Sequence, residues 1–263
     1  MNNVLFWVGV KSNEPALVSK YGDYKWMDIS KQAWRHWCKR HNIQMVCYER
    51  CSISDLVSHK PTWQRWFDVF NYPECQQADR ILMTDASIMP RWDAPNYFEV
   101  WPQDGFVTMP ANHNLRWVCD AIEGYRGWME CGLTVDQYFD TGFVFFGPKM
   151  RDVFDNLELW YHNNYDMLMQ LQTKVKKGTD QTPLNFFLRK AGIDIILVDE
   201  NMKHMANQPL RYDLLGDDFD GRDVLMVKYF DLWKFSGFTD RGNMRNMMMG
   251  KVWERYGKKY NLQ

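Results

Sequence analysis

Polar side chains end several apolar stretches of the sequence, and they are the residues with which the chain could do chemistry. Asp85 follows the apolar run RILMT, Asp140 stands two residues before Gly142 and the run FVFF, and the pair Asp180-Gln181 precedes an amphipathic segment. In an open α/β sheet, ligands bind at the carboxyl ends of strands. A glycine there lets the backbone approach a ligand closely. These positions therefore predict a ligand site built from carboxylates and one amide.

Each of the three carboxylates also has a purely structural explanation. Asp85 could form an Asx turn, and Asp140 could belong to a plain turn. Asp180 could cap the helix that follows it, because the start of a helix favours an acidic acceptor. Capping does not explain Gln181, since a cap requires only one acceptor. The residue types alone leave both kinds of explanation open.

The segments that must position these residues alternate between strands and helices. The apolar run VLFWVGV predicts a buried first strand, and IQMVCYE predicts a second one. Further strands are predicted in residues 80 to 88 and in DGFVTMP, FDTGFVFFG, IDIILV and VLMVKYF, whereas RWVCDAIEGYRGWMECG has no clear assignment. The alternation predicts an α/β fold with a mainly parallel sheet and helices on both faces.

Five helices are predicted, most of them from apolar spacing and from their end signals. Ser30 is expected to cap the first, and Pro61 to begin the second. The third covers residues 151 to 171, and the Arg- and Met-rich tail RGNMRNMMMGKVWERYG packs as a helix. A further helix in GTDQTPLNFFLRKAG is the clearest, with Thr179 or Asp180 as its cap and Gly192 as its stop. The predicted buried positions of these helices are Ala33, Trp34, Trp37, Cys38, Trp63, Trp66, Phe67, Phe70, Val153, Phe154, Leu157, Tyr161, Leu184, Phe187, Leu188 and Ala191.

Composition excludes several classes of protein. The formal net charge of −1 provides no basic field for a nucleic acid or an anionic membrane surface. The six cysteines contain no Cys-x-x-Cys pair, and the histidines near them do not have zinc spacing, so reduced core thiols are expected. The N-terminal apolar run is too short for a membrane span or a secretory leader. We therefore expect a cytoplasmic location.

The order of four motifs resembles the nucleotide-sugar glycosyltransferases of the GT-A fold, particularly their retaining, glycogenin- and galactosyltransferase-like branch. The helix KPTWQRWFDVF bears an Arg and precedes DRILMTDAS, which is similar to the strand that ends in Asp-x-Asp in that family. YFDTGFVFF and TDQTPLNFFL then resemble its aromatic-Asn-Ser-Gly strand and its Asp-Gln-x-x-apolar-Asn helix. The resemblance spans about residues 4 to 200, and TDQTPLN is its most specific element.

The resemblance implies a single Rossmann-like domain over residues 1–263, with a nucleotide-binding half (1–100) and an acceptor and sugar half with the C-terminal tail (101–263). It implies transfer of a hexose from a UDP- or GDP-hexose to a hydroxyl of a glycan or glycosylated protein. The implied catalytic residues are Asp180, Gln181 and Asp140, which line the sugar. The implied donor-binding residues are Lys11, Arg65, Asp85, Ser87 and Gly142, with Asp85 at the ribose and the metal. Arg65 alternatively belongs to a solvated helix face, paired with Asp68.

Three departures from the family pattern affect the metal and the sugar site. Ser87 stands where the family has the second carboxylate of Asp-x-Asp, so a divalent cation (Mn²⁺ or Mg²⁺) would have Asp85 and then only a hydroxyl. The family's late His has no counterpart in VKYFDLWKFSG, where Lys228 or Lys234 could supply positive charge, and Asp140 replaces an Asn. We therefore expect weak, millimolar metal binding or none.

Two other functions are compared with the transferase, and one of them stays open. The missing metal ligands favour a catalytically inactive module of this fold that binds a carbohydrate or a nucleotide. A sugar nucleotidylyltransferase is set aside, because no Gly-rich phosphate loop follows the first strand.

Overall fold

The computed structural model describes residues 1–15, 17–18, 22–101, 104–111, 115–198, 203–205, 226–228 and 241–259. The strands in these residues are β1 (Asn3–Val8), β2 (Gln44–Tyr48), β3 (Arg80–Asp85), β4 (Ile88–Pro90), β5 (Phe106–Pro110), β6 (Phe139–Phe146), β7 (Ile195–Leu197), β8 (Lys203–Met205) and β9 (Met226–Lys228). The helices are α1 (Lys25–His41), α2 (Pro61–Asp68), α3 (Pro73–Gln76), α4 (Tyr97–Val100), α5 (Leu115–Met129), α6 (Arg151–Asn163), α7 (Tyr165–Val175), α8 (Gln181–Lys190) and α9 (Arg241–Lys259).

The larger sheet has six strands in the order β2-β1-β3-β6-β5-β7 and is mostly parallel. β5 runs antiparallel to β6 and parallel to β7. β3 and β6 lie in the middle, and every residue of β6 is buried, as a strand covered on both faces requires. The predicted α/β fold, with a mainly parallel sheet flanked by helices, is confirmed.

The smaller sheet contains β4, β9 and β8 in that order. β9 pairs antiparallel with β4 and parallel with β8, and it confirms the strand predicted in VLMVKYF. The single strand predicted for residues 80 to 88 is wrong, because β3 ends at Asp85 and β4 begins at Ile88 in the other sheet. The turn between them is fixed by Ala86 N, which donates to Val8 O at 2.8 Å.

Contacts divide the chain into two compact units. The first unit comprises Met1–Val4, Cys51–Met83 and Trp101–Asp199, and the second comprises Leu5–Arg50, Thr84–Val100 and Glu200–Gln263. Of the predicted site residues, the first unit contains Arg65, Asp140, Gly142, Asp180 and Gln181, and the second contains Lys11, Asp85 and Ser87. The single domain with halves at 1–100 and 101–263 stays a prediction.

The predicted apolar face of the first helix is confirmed, but its start is not. Ala33, Trp34, Trp37 and Cys38 are all buried on α1. α1 begins at Lys25, so Ser30 lies within the helix and cannot cap it. Ser30 is fully buried. Two hydrogen bonds compensate for its lost hydration: its hydroxyl accepts from Trp7 Nε1 and donates to Ile88 O, each at 3.1 Å.

The helix predicted for residues 151 to 171 is in fact two helices, α6 and α7. Asn164 ends α6, since its backbone N–H donates to Trp160 O and its side-chain amide donates to the same carbonyl at 2.8 Å. Its own carbonyl then accepts from Leu168 N in the first turn of α7. The stretch that had no assignment forms α5, which packs its buried Tyr125 and Ile122 in the core of the first unit.

The clearest predicted helix exists as α8, with two corrections. Neither Thr179 nor Asp180 caps it through a side chain: Asp180 stands at the cap position, with helical dihedral angles and no capping hydrogen bond. Leu184 and Leu188 are fully buried as predicted, whereas Phe187 is half-buried, Ala191 is exposed, and Phe186 is fully buried in their place. Gly192, with φ near 70°, follows the helix as predicted. The predicted C-terminal helix is confirmed as α9.

All six cysteines are free thiols, as the sequence predicted. Only Cys38 and Cys75 are buried, whereas the other four are half-buried, so the expectation of core thiols holds for two positions.

Candidate active site

A buried ion pair joins α2 to the start of α8. Arg65 Nη2 donates to Asp180 Oδ2 at 2.7 Å, and the two side chains are only 2% and 6% exposed. Pro61 starts α2, and every residue of this helix from Trp63 to Asp68 is buried, so that Arg65 lies in the interior together with its aromatic neighbours. Arg65 Nε also donates to Thr62 O, one turn earlier, which fixes the guanidinium against its own helix.

Asp180 receives a second donor on the same oxygen. Trp66 Nε1 donates to Oδ2 at 3.0 Å. Among the residues that the structure describes, no hydrogen bond reaches Oδ1 of this carboxylate. The carboxylate is therefore held by one oxygen, and its other oxygen can accept from a ligand.

Both structural alternatives for this pair of residues are wrong. Asp180 forms no cap bond, and Arg65 lies in the interior rather than on a solvated helix face. Asp68, the proposed surface partner, accepts hydrogen bonds from Ser52 N at 3.0 Å and from Asn71 Nδ2 at 3.3 Å. A buried ion pair is favourable only when its geometry and further hydrogen bonds compensate for the lost hydration of both charges. The hydrogen bond from Trp66 to Asp180 is one such further bond.

Gln181 has a buried side-chain amide whose Nε2 has no partner among the described residues. Buried amide groups are nearly always hydrogen bonded in folded proteins, so this Nε2 is available to a water, to a ligand or to the neighbouring Tyr138 hydroxyl. Its neighbour Thr182 is engaged, with its Oγ1 2.7 Å from Tyr138 OH and donating to Lys177 O at 3.1 Å. Burial raises the pKa of the Tyr138 hydroxyl, so Tyr138 stays protonated as part of this network.

Asn185 ties α8 to the start of β6. Its Oδ1 accepts from Phe139 N at 2.8 Å, while its Nδ2 donates to Phe139 O at 3.1 Å and to Gln181 O at 2.8 Å. The side chain is fully buried. These bonds hold the first turn of α8, and hence Asp180 and Gln181, at a fixed position relative to the start of β6.

Asp140 is the second residue of β6 and is completely buried. Its Oδ1 accepts from Gly142 N at 2.6 Å, which is the local bond of an Asx turn. Thr108 Oγ1 donates to Asp140 O at 2.7 Å and lies 3.1 Å from Phe143 O, which secures the strand from β5. The turn explanation of Asp140 therefore has direct support, and its place at the sugar stays a prediction.

In the second unit, Asp85 and Ser87 flank the turn between β3 and β4. Asp85 is the last residue of β3, so it lies at a strand end as predicted. Its side chain is half-buried, whereas Ser87 is buried. The turn is anchored behind Ser87, because Ile88 O accepts from both Ser30 Oγ at 3.1 Å and Trp34 Nε1 at 2.8 Å. Two side chains of α1 therefore hold the backbone immediately after Asp85 and Ser87.

Lys11 follows β1 and lies at the surface of the second unit. Its Nζ contacts Asp28 Oδ1 at 2.7 Å, and both side chains are about half exposed. Exposed ion pairs of this kind contribute little free energy, so this contact would not hold Lys11 away from a phosphate.

The predicted metal ligands fit a divalent cation poorly. Asp85 and Ser87 offer one carboxylate and one hydroxyl, whereas Mg²⁺ is usually held by carboxylates together with substrate phosphates. Within the described ranges, no group of three or more His, Cys, Asp or Glu side chains could hold a metal ion. Lys234 and the side chain of Lys228, proposed to supply charge, lie outside the described residues.

Sequence reasoning missed the polar roles of Trp66 and Asn185. The spacing of Trp66 predicts an apolar face and gives no information about its indole N–H. Asn185 stands in the motif TDQTPLN and contributes only to that pattern. An Asn one turn after the Asp-Gln pair, in an otherwise apolar helix segment, is the available signal for a bond between helix and strand.

No helix in the described part of the chain is long and apolar enough to cross a membrane. No protein-family profile matches the sequence, and no curated protein has a detectably similar one.

Solved structures are similar over nearly the whole chain. A glycosyltransferase involved in the glycosylation of the major capsid of PBCV-1 is 11% identical with a TM-score of 0.54, over 94% of this chain and 98% of that one. The galactosyltransferase LgtC is 11% identical with a TM-score of 0.46, over 95% and 99%. The glycosyltransferase GlyE of Streptococcus pneumoniae TIGR4 is 10% identical with a TM-score of 0.48, over 95% and 60%. The first of these similarities shows that the chain has the GT-A glycosyltransferase fold that its motif order predicted.

Proposed function

We propose that this chain is a glycosyltransferase that moves a hexose from a nucleotide-diphosphate sugar to a hydroxyl acceptor. One observation carries the proposal: in a GT-A fold, the buried Arg65–Asp180 pair adjoins Gln181, whose side-chain Nε2 has no partner among the described residues. A buried carboxylate and a buried amide with unused hydrogen-bonding atoms suit a ligand rich in hydroxyl groups.

The chemistry of hexose transfer gives these two residues distinct roles. Positive charge develops at the anomeric carbon as the bond to the leaving group breaks. The fixed carboxylate of Asp180 stabilises that charge, and its Oδ1 accepts a hydrogen bond from a sugar hydroxyl. Gln181 Nε2 donates to another oxygen of the sugar. Because both groups are fixed before the reaction, they require little reorganisation in the transition state.

The leaving nucleotide diphosphate requires positive charge and polar contacts of its own. We assign Lys11 and Arg65 to the donor's phosphates or sugar and Asp85 to its ribose hydroxyls, with Ser87 and Gly142 as further donor contacts and Asp140 beside the sugar. A divalent cation, where one binds, would neutralise the diphosphate. Because Asp85 and Ser87 fit such an ion poorly, we propose that positively charged side chains such as Lys11 and Arg65, rather than a metal ion, neutralise most of the diphosphate charge.

The inactive binding module is the second candidate, and the serine at position 87 favours it. An enzyme of this chemistry that has lost a metal ligand could still bind a nucleotide or a carbohydrate. The two candidates differ in turnover and not in binding, so turnover must be measured.

The test is release of nucleoside diphosphate from a panel of UDP- and GDP-hexoses, with and without Mn²⁺. The wild-type chain is compared with Asp180→Asn and with the matched control Asp152→Asn, which makes the same change at an exposed position of α6. Release by the wild type and the control, with a rate that falls by on the order of a hundredfold in Asp180→Asn, supports the transferase. Donors that raise the melting temperature without any release, across the whole panel, favour the binding module.

The remaining proposals follow the fold. We propose one functional domain, 1–263, with the nucleotide half in 1–100 and the acceptor half in 101–263, and an acceptor that is a glycan or a glycosylated protein. A cytoplasmic location is supported by the six free thiols.

A further inference from the structure

Two donors of different chemistry converge on one oxygen of Asp180. Arg65 Nη2 and Trp66 Nε1 lie 2.7 and 3.0 Å from Oδ2. An arginine facing a carboxylate often binds both of its oxygens in a fork. Here the indole N–H shares Oδ2 with the guanidinium, and Oδ1 has no partner among the described residues. The second donor therefore determines which oxygen is left for a ligand.

The indole of Trp66 is held too firmly to move away. Trp66 is fully buried, and its ring packs on three phenylalanine rings, with centroid distances of 6.5 Å to Phe106, 6.5 Å to Phe146 and 5.4 Å to Phe154. Trp offers a single donor, and here that donor points at a carboxylate, which makes the bond charge-assisted and stronger than a neutral one.

We propose that Trp66 is a positioning residue: its N–H, together with Arg65, sets the rotation of the Asp180 carboxylate so that Oδ1 faces the hexose of the donor. This inference rests on the proposed transferase function and adds to it the residue that orients the acidic group. It separates the role of the indole N–H from that of the ring, which fills the core.

Trp63 on the same helix provides a matched control. It is also fully buried, and its ring packs on Tyr161 and Phe67 with centroid distances of 4.8 and 6.4 Å. Its Nε1 has no hydrogen-bond partner among the described residues. Trp63→Phe and Trp66→Phe therefore make the same change in two buried indoles of α2, and only the second removes a bond to Asp180.

The experiment measures kcat and KM for donor turnover in both variants, each first shown to unfold cooperatively in urea. We expect Trp66→Phe to lower kcat by about tenfold with KM within about twofold, as loss of a group that acts in the transition state does. Trp63→Phe should stay within about twofold of wild type in both constants. Equal effects of the two changes would overturn the proposal.

A double-mutant cycle with Asp180→Asn separates positioning from packing. If Trp66 acts through Asp180, Trp66→Phe has no further effect on the residual kcat of Asp180→Asn. A full additional loss in that background assigns the effect to packing and overturns the proposal.

A wild-type chain that binds a donor without turning it over refutes the transferase, and the positioning role is then decided by donor affinity. About tenfold weaker binding in Trp66→Phe than in Trp63→Phe supports positioning, and equal affinities overturn it. If no donor of the panel binds the wild type, both proposals fail.

Discussion

Arg65 Nη2 lies 2.7 Å from Asp180 Oδ2, although the two residues are 115 positions apart in the chain. Arg65 belongs to α2, Asp180 immediately precedes α8, and both side chains are buried. The pair makes the orientation of α2 depend on the start of α8. It also explains why Asp180 does not cap its own helix: its side chain is turned toward Arg65 and Trp66 instead.

The first prediction concerns the stability of this pair. Asp180→Ala should lower the free energy of unfolding by about 3–5 kcal/mol, because it leaves the Arg65 guanidinium buried opposite an alanine. Asp180→Asn should cost less, since the amide oxygen still accepts a hydrogen bond. Urea unfolding of both variants, with exposed Asp152→Ala as the control, measures the difference. A loss below about 1 kcal/mol in Asp180→Ala would show that the buried pair contributes no more to stability than an exposed ion pair does.

The sheet and most helices were predictable because their signals are local. VLFWV and FVFF are continuous apolar runs, and both form buried strands of the central sheet. The spacing of Trp63, Trp66 and Phe67 predicted α2 and its inward face. In these segments the periodicity of apolar residues, the proline at a first turn and the glycine after a last turn all indicate the same structure.

The two wrong helix caps share one physical cause, which is a polar side chain whose partner is distant in sequence. Ser30 resembles a helix cap, but its hydroxyl bonds to Ile88 O, 58 positions away. Asp180 resembles a cap as well, and its partners are 114 and 115 positions away. A local pattern identifies a hydrogen-bonding group but contains no information about which distant group will meet it. Consequently, the sequence identifies Ser30 and Asp180 as hydrogen-bonding residues but not the groups to which they bond.

The second prediction concerns the metal. Ser87→Asp places a second carboxylate two residues after Asp85, in the Asp-x-Asp spacing, so Mn²⁺ binding should tighten by about tenfold or more over the weak wild-type level. Calorimetry with and without nucleoside diphosphate measures this. Ser58→Asp, in a loop of the first unit, controls for the added charge. Tight Mn²⁺ binding by the wild type without nucleotide would refute our view of Ser87.

The third prediction concerns a cap that α9 supplies to α1. Tyr24, at the start of α1, has a positive φ of 60° and forms no side-chain cap, whereas Asn246 Oδ1 accepts from Trp26 N at 2.8 Å. Asn246→Ala should therefore cost about 1 kcal/mol, the usual value of a lost cap. Thermal unfolding is compared with that of Met247→Ala, a neighbouring, partly exposed position. Equal melting temperatures of the two variants would show that α1 does not depend on this bond.

The fourth prediction is a loss of stability at alkaline pH through Cys75. Burial raises the pKa of this thiol from 9.0 to about 12, so the folded chain keeps its proton where the unfolded chain releases it. Stability from this group is complete below pH 9 and falls as pH rises toward 12, by up to about 1.4 kcal/mol per pH unit. The free energy of unfolding under reducing conditions, at pH 8 and pH 10, should fall less in Cys75→Ala than in wild type. The same fall in both would contradict a buried, protonated thiol.

The fifth prediction separates function from structure at Gln181. Its Nε2 has no partner among the described residues, so the amide adds little to folding and its removal relieves a desolvated group. Gln181→Ala should therefore unfold within about 1 kcal/mol of wild type, while kcat for the responsive donor falls by on the order of a hundredfold. Both quantities are measured on the same preparation.

The control for this last change is Gln170→Ala, at an exposed position of α7, which should leave both quantities unchanged. If Gln181 serves only the fold, the outcome reverses: stability falls and kcat per folded molecule stays at the wild-type value. That reversal would mean that the amide is satisfied within the protein in solution. The chain would then retain only Asp180 as its buried contact for the sugar, and the binding module would become the better description of its function.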